Sequence, residues 1–228
     1  MKKKRLEAGQ DFPRFLKHVR KEQSVLLEQL SRGLMTVSNL ARIEKGQRPI
    51  SKSMRDCLLG RLGIASDLYE NMLNIEDYAI WERQRCILCA IEFKETEKAQ
   101  ELIQNYEMQD LTKDKVQQQF CLMMKAEILK QQKADSSAIR ACYEAAVKCT
   151  IPDIEYMSYE KIVLSIQEIN VVLEYVYSHK EMDFEKKCKV LLDFVERTTY
   201  DTLSKVKIYP KILYYYLREA YANNNVPI

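Results

Sequence analysis

Glycine is confined to one end of this chain. All five glycines, Gly9, Gly33, Gly46, Gly60 and Gly63, fall in the first 63 of 228 residues, and the remaining 165 contain none. Tight β-turns draw on glycine for backbone angles that other residues reach only at a cost. A glycine-free stretch of that length therefore predicts almost pure helix. Charge divides at nearly the same place. Residues 1–73 carry 15 Lys and Arg against 8 Asp and Glu, whereas residues 74–228 carry 21 against 25, a division of +7 and −4. A small basic part beside a mildly acidic one suggests that only the first meets a polyanion, although the Lys2–Arg5 tail alone supplies four of the positive charges. The reading is an all-α chain of two domains, residues 1–73 and 74–228.

With 46% hydrophobic residues the chain has enough apolar surface for a packed core. No apolar h-region follows the basic Met1–Arg5, and no window approaches the roughly 20 apolar residues of a membrane span. A soluble, cytoplasmic protein with no membrane partner is expected. In a reducing compartment the seven scattered cysteines read as small buried hydrophobes. Only two histidines occur, His18 and His179, and His18 reads as a surface residue. Cys86 and Cys89 have C-x-x-C spacing, but they lie mid-helix with no second pair, and tetrahedral zinc needs two more ligands. No phosphate-binding glycine loop is present. The sequence thus argues against an enzyme and calls for no cofactor and no metal.

The first part reads as five short helices. Phe12–Glu22 puts Phe12, Phe15, Leu16 and Val19 on one face, with Pro13 in its first turn. Leu26–Arg32 follows, and Gly33 permits a sharp turn. A third helix, Val37–Lys45, faces inward through Val37, Leu40, Ala41, Ile43 and Glu44, with Gly46 at the C′ position. Ser51 caps a fourth helix through Leu62 that Gly63 ends, and Ser66 caps Asp67–Leu73. Two helices joined by a short turn form a helix-turn-helix layout. The third helix then needs polar groups outward, and Thr36, Ser38, Asn39 and Arg42 fall on or near that side. Lys45, Gln47 and Arg48 follow at its C-terminal end. Asparagine favours adenine and arginine favours guanine; Lys45 and Arg48 suit phosphate.

The residues that carry this layout also look familiar. Val37-Ser38-Asn39-Leu40-Ala41-Arg42-Ile43-Glu44-Lys45-Gly46-Gln47-Arg48-Pro49 resembles the core of the Cro/XRE-type helix-turn-helix family. Leu58–Ile64 with Asp67-Leu68-Tyr69 resembles that family's last two helices. The second helix departs from the pattern, reading Leu27-Glu28-Gln29-Leu30-Ser31, and the step from Ser31 to Leu40 is one residue short. The resemblance implies a five-helix DNA-binding domain with duplex DNA as partner and Glu44 in a structural role. It leaves Arg42 two readings, a base contact or a structural ion pair with a glutamate.

The second part reads as Tyr78–Phe93, Thr96–Tyr106, Lys115–Lys130, Ser136–Cys149, Ser158–Tyr177, Phe184–Thr198 and Thr202–Asn223, with Pro210 a kink or break in the last. Helix pairs recur about every 40 residues. Ala126, Ala138 and Ala145 have the small-residue spacing of a tetratricopeptide repeat, and Pro152 follows. An irregular helical bundle is the alternative. Tyrosines 214–216 must point in several directions, so at least one leaves the core. Stacked pairs form a superhelix with a concave groove. A Cro/XRE-type domain followed by such repeats resembles the RRNPP group of bacterial peptide-sensing regulators, whose members usually carry more repeats. That resemblance implies a homodimer formed through the repeat domain and a peptide or protein ligand in the groove. The expected function is a DNA-binding transcriptional regulator. The rival is a protein-interaction adaptor whose helix-turn-helix no longer binds DNA.

Overall fold

The computed structural model describes residues 8–64, 75–108, 114–156, 162–179, 183–198, 200 and 202–223. All regular structure among them is helical. The helices are α1 (Ala8–Glu22), α2 (Leu27–Ser31), α3 (Val37–Glu44), α4 (Lys52–Arg61), α5 (Ile75–Glu92), α6 (Thr96–Glu107), α7 (Lys115–Gln131), α8 (Ser136–Thr150), α9 (Ile166–Ser178), α10 (Phe184–Arg197) and α11 (Thr202–Asn223). None is long and apolar enough to cross a membrane among the described residues. Helices α1–α4 close around Leu16, Leu30, Leu40, Leu58 and Leu59. Helices α5–α7 share a second core around Ile87, Ile103 and Tyr106. Helices α8–α11 share a third around Val147, Val172, Leu191 and Ile212.

Glycine-free turns between the later helices have a plain solution. Lys94 and Lys133 take the left-handed conformation (φ +60° and +52°) at the place a C′ glycine would hold. At each, the next N–H returns to the last helical turn: Glu95 N donates to Ala90 O at 2.8 Å and Ala134 N to Leu129 O at 3.0 Å. A non-glycine residue pays steric strain there, which the following helix offsets by packing back on its partner.

Several boundaries differ from the sequence reading. α1 begins at Ala8, so Pro13 lies inside the helix rather than in its first turn. α9 begins at Ile166; the expected start at Ser158 lies outside the described residues. Ser165 accepts from Glu168 N while the Glu168 carboxylate accepts from Ser165 N, a capping box. Residues 162–165 precede it without helical structure, and the apolar Val163 and Leu164 that suggested helix instead pack at the junction described below. Pro210 does not break α11, which runs through it; both Pro210 and Val206, whose carbonyl the ring leaves without a donor, are exposed residues. Of the three alanines, Ala126 is fully buried but Ala138 and Ala145 are exposed. Ala146 occupies the close approach instead, so α8 is turned by one residue from the expected register. Cys57, Cys121 and Cys188 are buried, but Cys86 is exposed and Cys89, Cys142 and Cys149 are half-buried. Cys86 and Cys89 flank the inward Ile87 and Ala90 on α5, which puts them at the edge of its buried face. The Ser66-capped helix Asp67–Leu73 and the boundary at 73–74 lie outside the described residues. Tyr214 does leave the core, while Tyr215 and Tyr216 pack partly against it. His18 is on the surface beside Glu22 at 3.6 Å.

The first core is fastened to the later helices by a buried ion pair. Arg61, 2% exposed, meets the fully buried Glu168 through Nη2–Oε1 at 2.5 Å and Nε–Oε2 at 3.1 Å. Its remaining N–H groups donate to Leu30 O at 2.9 Å, Arg32 O at 2.7 Å and Thr150 O at 3.4 Å. Burial works against both charges. The charge of Arg61, its hydrogen bonds and those from Ser165 outweigh it, holding the Glu168 carboxyl below its ordinary value. Two glycines allow the approach. A Cβ on Gly33 (φ +74°) would lie 1.7 Å from Thr150 O, and one on Gly60 would lie 2.7 Å from Ser165 Cβ.

Arg61→Met leaves Glu168 buried without its partner and should cost about 3–5 kcal/mol in urea unfolding, with much of the loss recovered in Arg61→Met/Glu168→Leu. Because the Glu168 pKa is lowered in the fold, its contribution is complete above the ordinary carboxylate range and disappears as pH falls through the lowered value. Glu168→Gln should flatten that acid limb of stability against pH. Lys94→Gly and Lys133→Gly relieve left-handed strain and should each raise stability by about 0.5–1 kcal/mol, read in the same melts.

Candidate nucleic-acid interface

α3 is short, and both its ends are fixed. Thr36 caps it, Oγ1 accepting from Asn39 N at 3.3 Å. At the other end Gly46 (φ +69°) makes a Schellman turn, with Gly46 N donating to Ile43 O at 2.8 Å and Gln47 N to Arg42 O at 2.9 Å. Leu40, Ile43 and Glu44 are its buried side. Ser38, Arg42 and Lys45 are exposed, and at 100° per residue they form one line opposite that side.

Glu44 is held by Arg20 of α1. Nε reaches Oε1 at 2.6 Å, Nη2 reaches Oε2 at 2.8 Å, and Nη1 donates to Val25 O at 3.0 Å. This hydrogen-bonded carboxylate holds the Arg20 pKa above its ordinary value, against a smaller effect of burial. The fork pins α3 to α1 and to the loop before α2. It also places Glu44 in the structural role expected of it and leaves Arg42 outside that ion pair. The Arg42 guanidinium has no hydrogen-bond or ionic partner among the described residues.

The flank of α3 borders an open cleft of about 740 Å³. Thr36, Asn39, Ile43, Arg48 and Met54 line one side; Asp114, Lys115 and Pro152 close the other. Asp114 accepts from Ser51 Oγ at 2.5 Å and Ser53 Oγ at 2.8 Å. Lys115 Nζ donates to Gly33 O at 2.7 Å. Across the loop, Arg48 Nη1 donates to Asn39 Oδ1 at 2.7 Å.

The seven residues singled out from the sequence thus fall in two groups. Ser38, Arg42 and Lys45 share the outer face of α3. Thr36, Asn39 and Arg48 gather at the cleft, and Gln47 is exposed on the loop between them. Sequence reasoning missed Arg20, Arg61, Asp114, Lys115 and Glu168. The first two were visible as arginines at apolar positions, Arg20 one turn after Leu16 and Arg61 between Leu58 and Leu62. Ser165-Ile166-Gln167-Glu168 carried its capping-box signature in plain view.

No protein-family model matches the sequence, and no curated protein does. Solved structures to which the chain is similar include the following two. Bacillus thuringiensis PlcR, in complex with the peptide PapR7 and DNA, aligns at 15% identity over 93% of this chain and 75% of its own, with a TM-score of 0.42. Streptococcus dysgalactiae SHP pheromone receptor Rgg2 aligns at 13% identity over 91% of this chain and 86% of its own, with a TM-score of 0.36.

Proposed function

We propose that this chain is a transcriptional regulator that binds duplex DNA through α3. One observation carries the reading: Ser38, Arg42 and Lys45 form an exposed line on a helix pinned by Arg20 and Glu44 beneath it. Two cations in such a line, on the more basic end of the chain, suit a major groove flanked by phosphates. Residues 1–73 act as the DNA-binding part. Residues 74–228 act as a helical repeat part that dimerises and holds a peptide. A dimer sets two α3 helices about 34 Å apart, one turn of DNA, and so selects a two-fold symmetric operator. A ligand regulates only if it favours one spacing of the two α3 helices over another.

The junction supports direct coupling. Asp114, Lys115, Thr150 and Glu168 of the later helices all bond to α2, α4 or the turn between α2 and α3. A change in packing at α7–α9 therefore reaches α3 through polar contacts rather than through a loose tether.

Selection from a pool of random duplexes at near-physiological salt tests the reading. Enrichment of a two-fold symmetric site is expected. Lys45→Ala should then weaken all duplexes by a similar factor and reduce the slope of log K against log salt by about 1. Arg42→Ala should relax preference at one base pair per half-site. A folded wild type that enriches nothing would refute DNA binding by the free protein and favour the adaptor, to be followed by capture of protein partners.

A further inference from the structure

Asparagine on a recognition helix reads adenine by using both halves of its amide, the oxygen accepting from N6–H2 and the nitrogen donating to N7. Here the oxygen is already engaged. Arg48 Nη1 lies 2.7 Å from Asn39 Oδ1. A guanidinium carries only donors, so the amide atom facing it must be the oxygen. The loop is built to bring the two together. The left-handed Gly46 reverses the chain at the end of α3. Pro49 then favours extended backbone at Arg48, and the side chain returns nine residues to the first turn of the helix. Both residues line the open cleft beside α3. Neither makes another side-chain hydrogen bond among the described residues.

What this pair offers a ligand is therefore lopsided. Asn39 Nδ2 keeps two N–H donors, and Arg48 keeps the rest of its five. The Asn39 oxygen retains one lone pair, but a positive charge sits beside it, where an adenine amino group would have to approach. We propose that Asn39 and Arg48 act as one donor clamp that takes an acceptor-only edge, guanine O6 and N7 or a phosphate oxygen, and rejects adenine. Arg48 is then a positioning residue for Asn39 as well as a contact in its own right. The inference rests on the DNA-binding reading above and reverses the adenine preference that asparagine alone suggests.

The test is selection from random duplexes with the full chain as wild type, Arg48→Ala and Asn39→Ala, each checked for unchanged helicity, with salt titrations on the selected sites. If the clamp reads guanine, wild type enriches guanine at one position per half-site. Arg48→Ala frees the amide oxygen and shifts that position toward adenine by about tenfold, and Asn39→Ala leaves it unread. If the clamp grips phosphate, both substitutions weaken every sequence alike, and Arg48→Ala lowers the salt slope by about 1 with no change in the selected site. Either result supports the clamp and names its target. Wild-type enrichment of adenine at a position that Asn39→Ala erases would overturn it, as would two substitutions without effect. A wild type that binds no duplex overturns the DNA-binding reading itself, and is seen before any variant is compared.

Discussion

The contact between Arg61 and Glu168 decides how the two ends of this molecule are arranged. Two charges removed from water demand compensation, and a buried pair gains little over apolar side chains of the same size. What a guanidinium adds is direction, because its donors lie in one plane at fixed angles. Two of them meet Glu168. The others take carbonyls at the end of α2 and at the end of α8, groups that a helix terminus leaves unpaired. One side chain thus satisfies the end of α2, the end of α8 and the start of α9. The turn that leads into α3 begins at the same carbonyls.

Close approach is the second half of that constraint. Gly33 and Gly60 stand where a side chain would strike Thr150 or Ser165. For Gly33 the left-handed turn and the contact coincide, so the turn between α2 and α3 has the shape that its neighbour permits. Gly33 lies within the stretch from Ser31 to Leu40 that reads as one residue short in the sequence. Leu34 from the same turn is buried in the first core, and Lys115 holds the Gly33 carbonyl from outside. The turn is thus a docking surface as much as a connection between helices.

Most of the fold could be read from the chain, and the failures have physical causes. Of the eleven expected helices that fall among the described residues, ten lie where periodicity and caps put them, to within a turn. Ser158–Tyr177 failed because Ile162, Val163 and Leu164 are apolar for contact with other elements rather than for a helix face. The alanine register on α8 failed because Ala141, Ala145 and Ala146 offer small residues on more than one side. A spacing of alanines therefore cannot fix which way the helix is turned. At the candidate interface, sequence found the outer residues of α3, which depend on one helix and its period. It could not find what fastens them, because Arg20 with Glu44 and Arg61 with Glu168 are pairings across 24 and 107 residues. It also gave Asn39 and Arg48 separate tasks, since nothing in the string shows the loop folding back.

The electrostatics of α3 follow from where its neighbouring carboxylates are spent. Glu44 is on the helix itself, two residues from Arg42 and next to Lys45, and an exposed carboxylate there would offset their charge. Instead it is turned inward and matched by Arg20. Asp114, across the cleft from Asn39, has its oxygens taken by Ser51, Ser53 and its own helix start at Val116. Arg42 and Lys45 face outward with no close ion pair among the described residues, while Glu44 and Asp114 serve as internal fastenings. On α3 itself the outward charges are the cations Arg42 and Lys45, although the chain as a whole is nearly balanced in charge. The same side chains that rigidify α3 also set the sign of its surface.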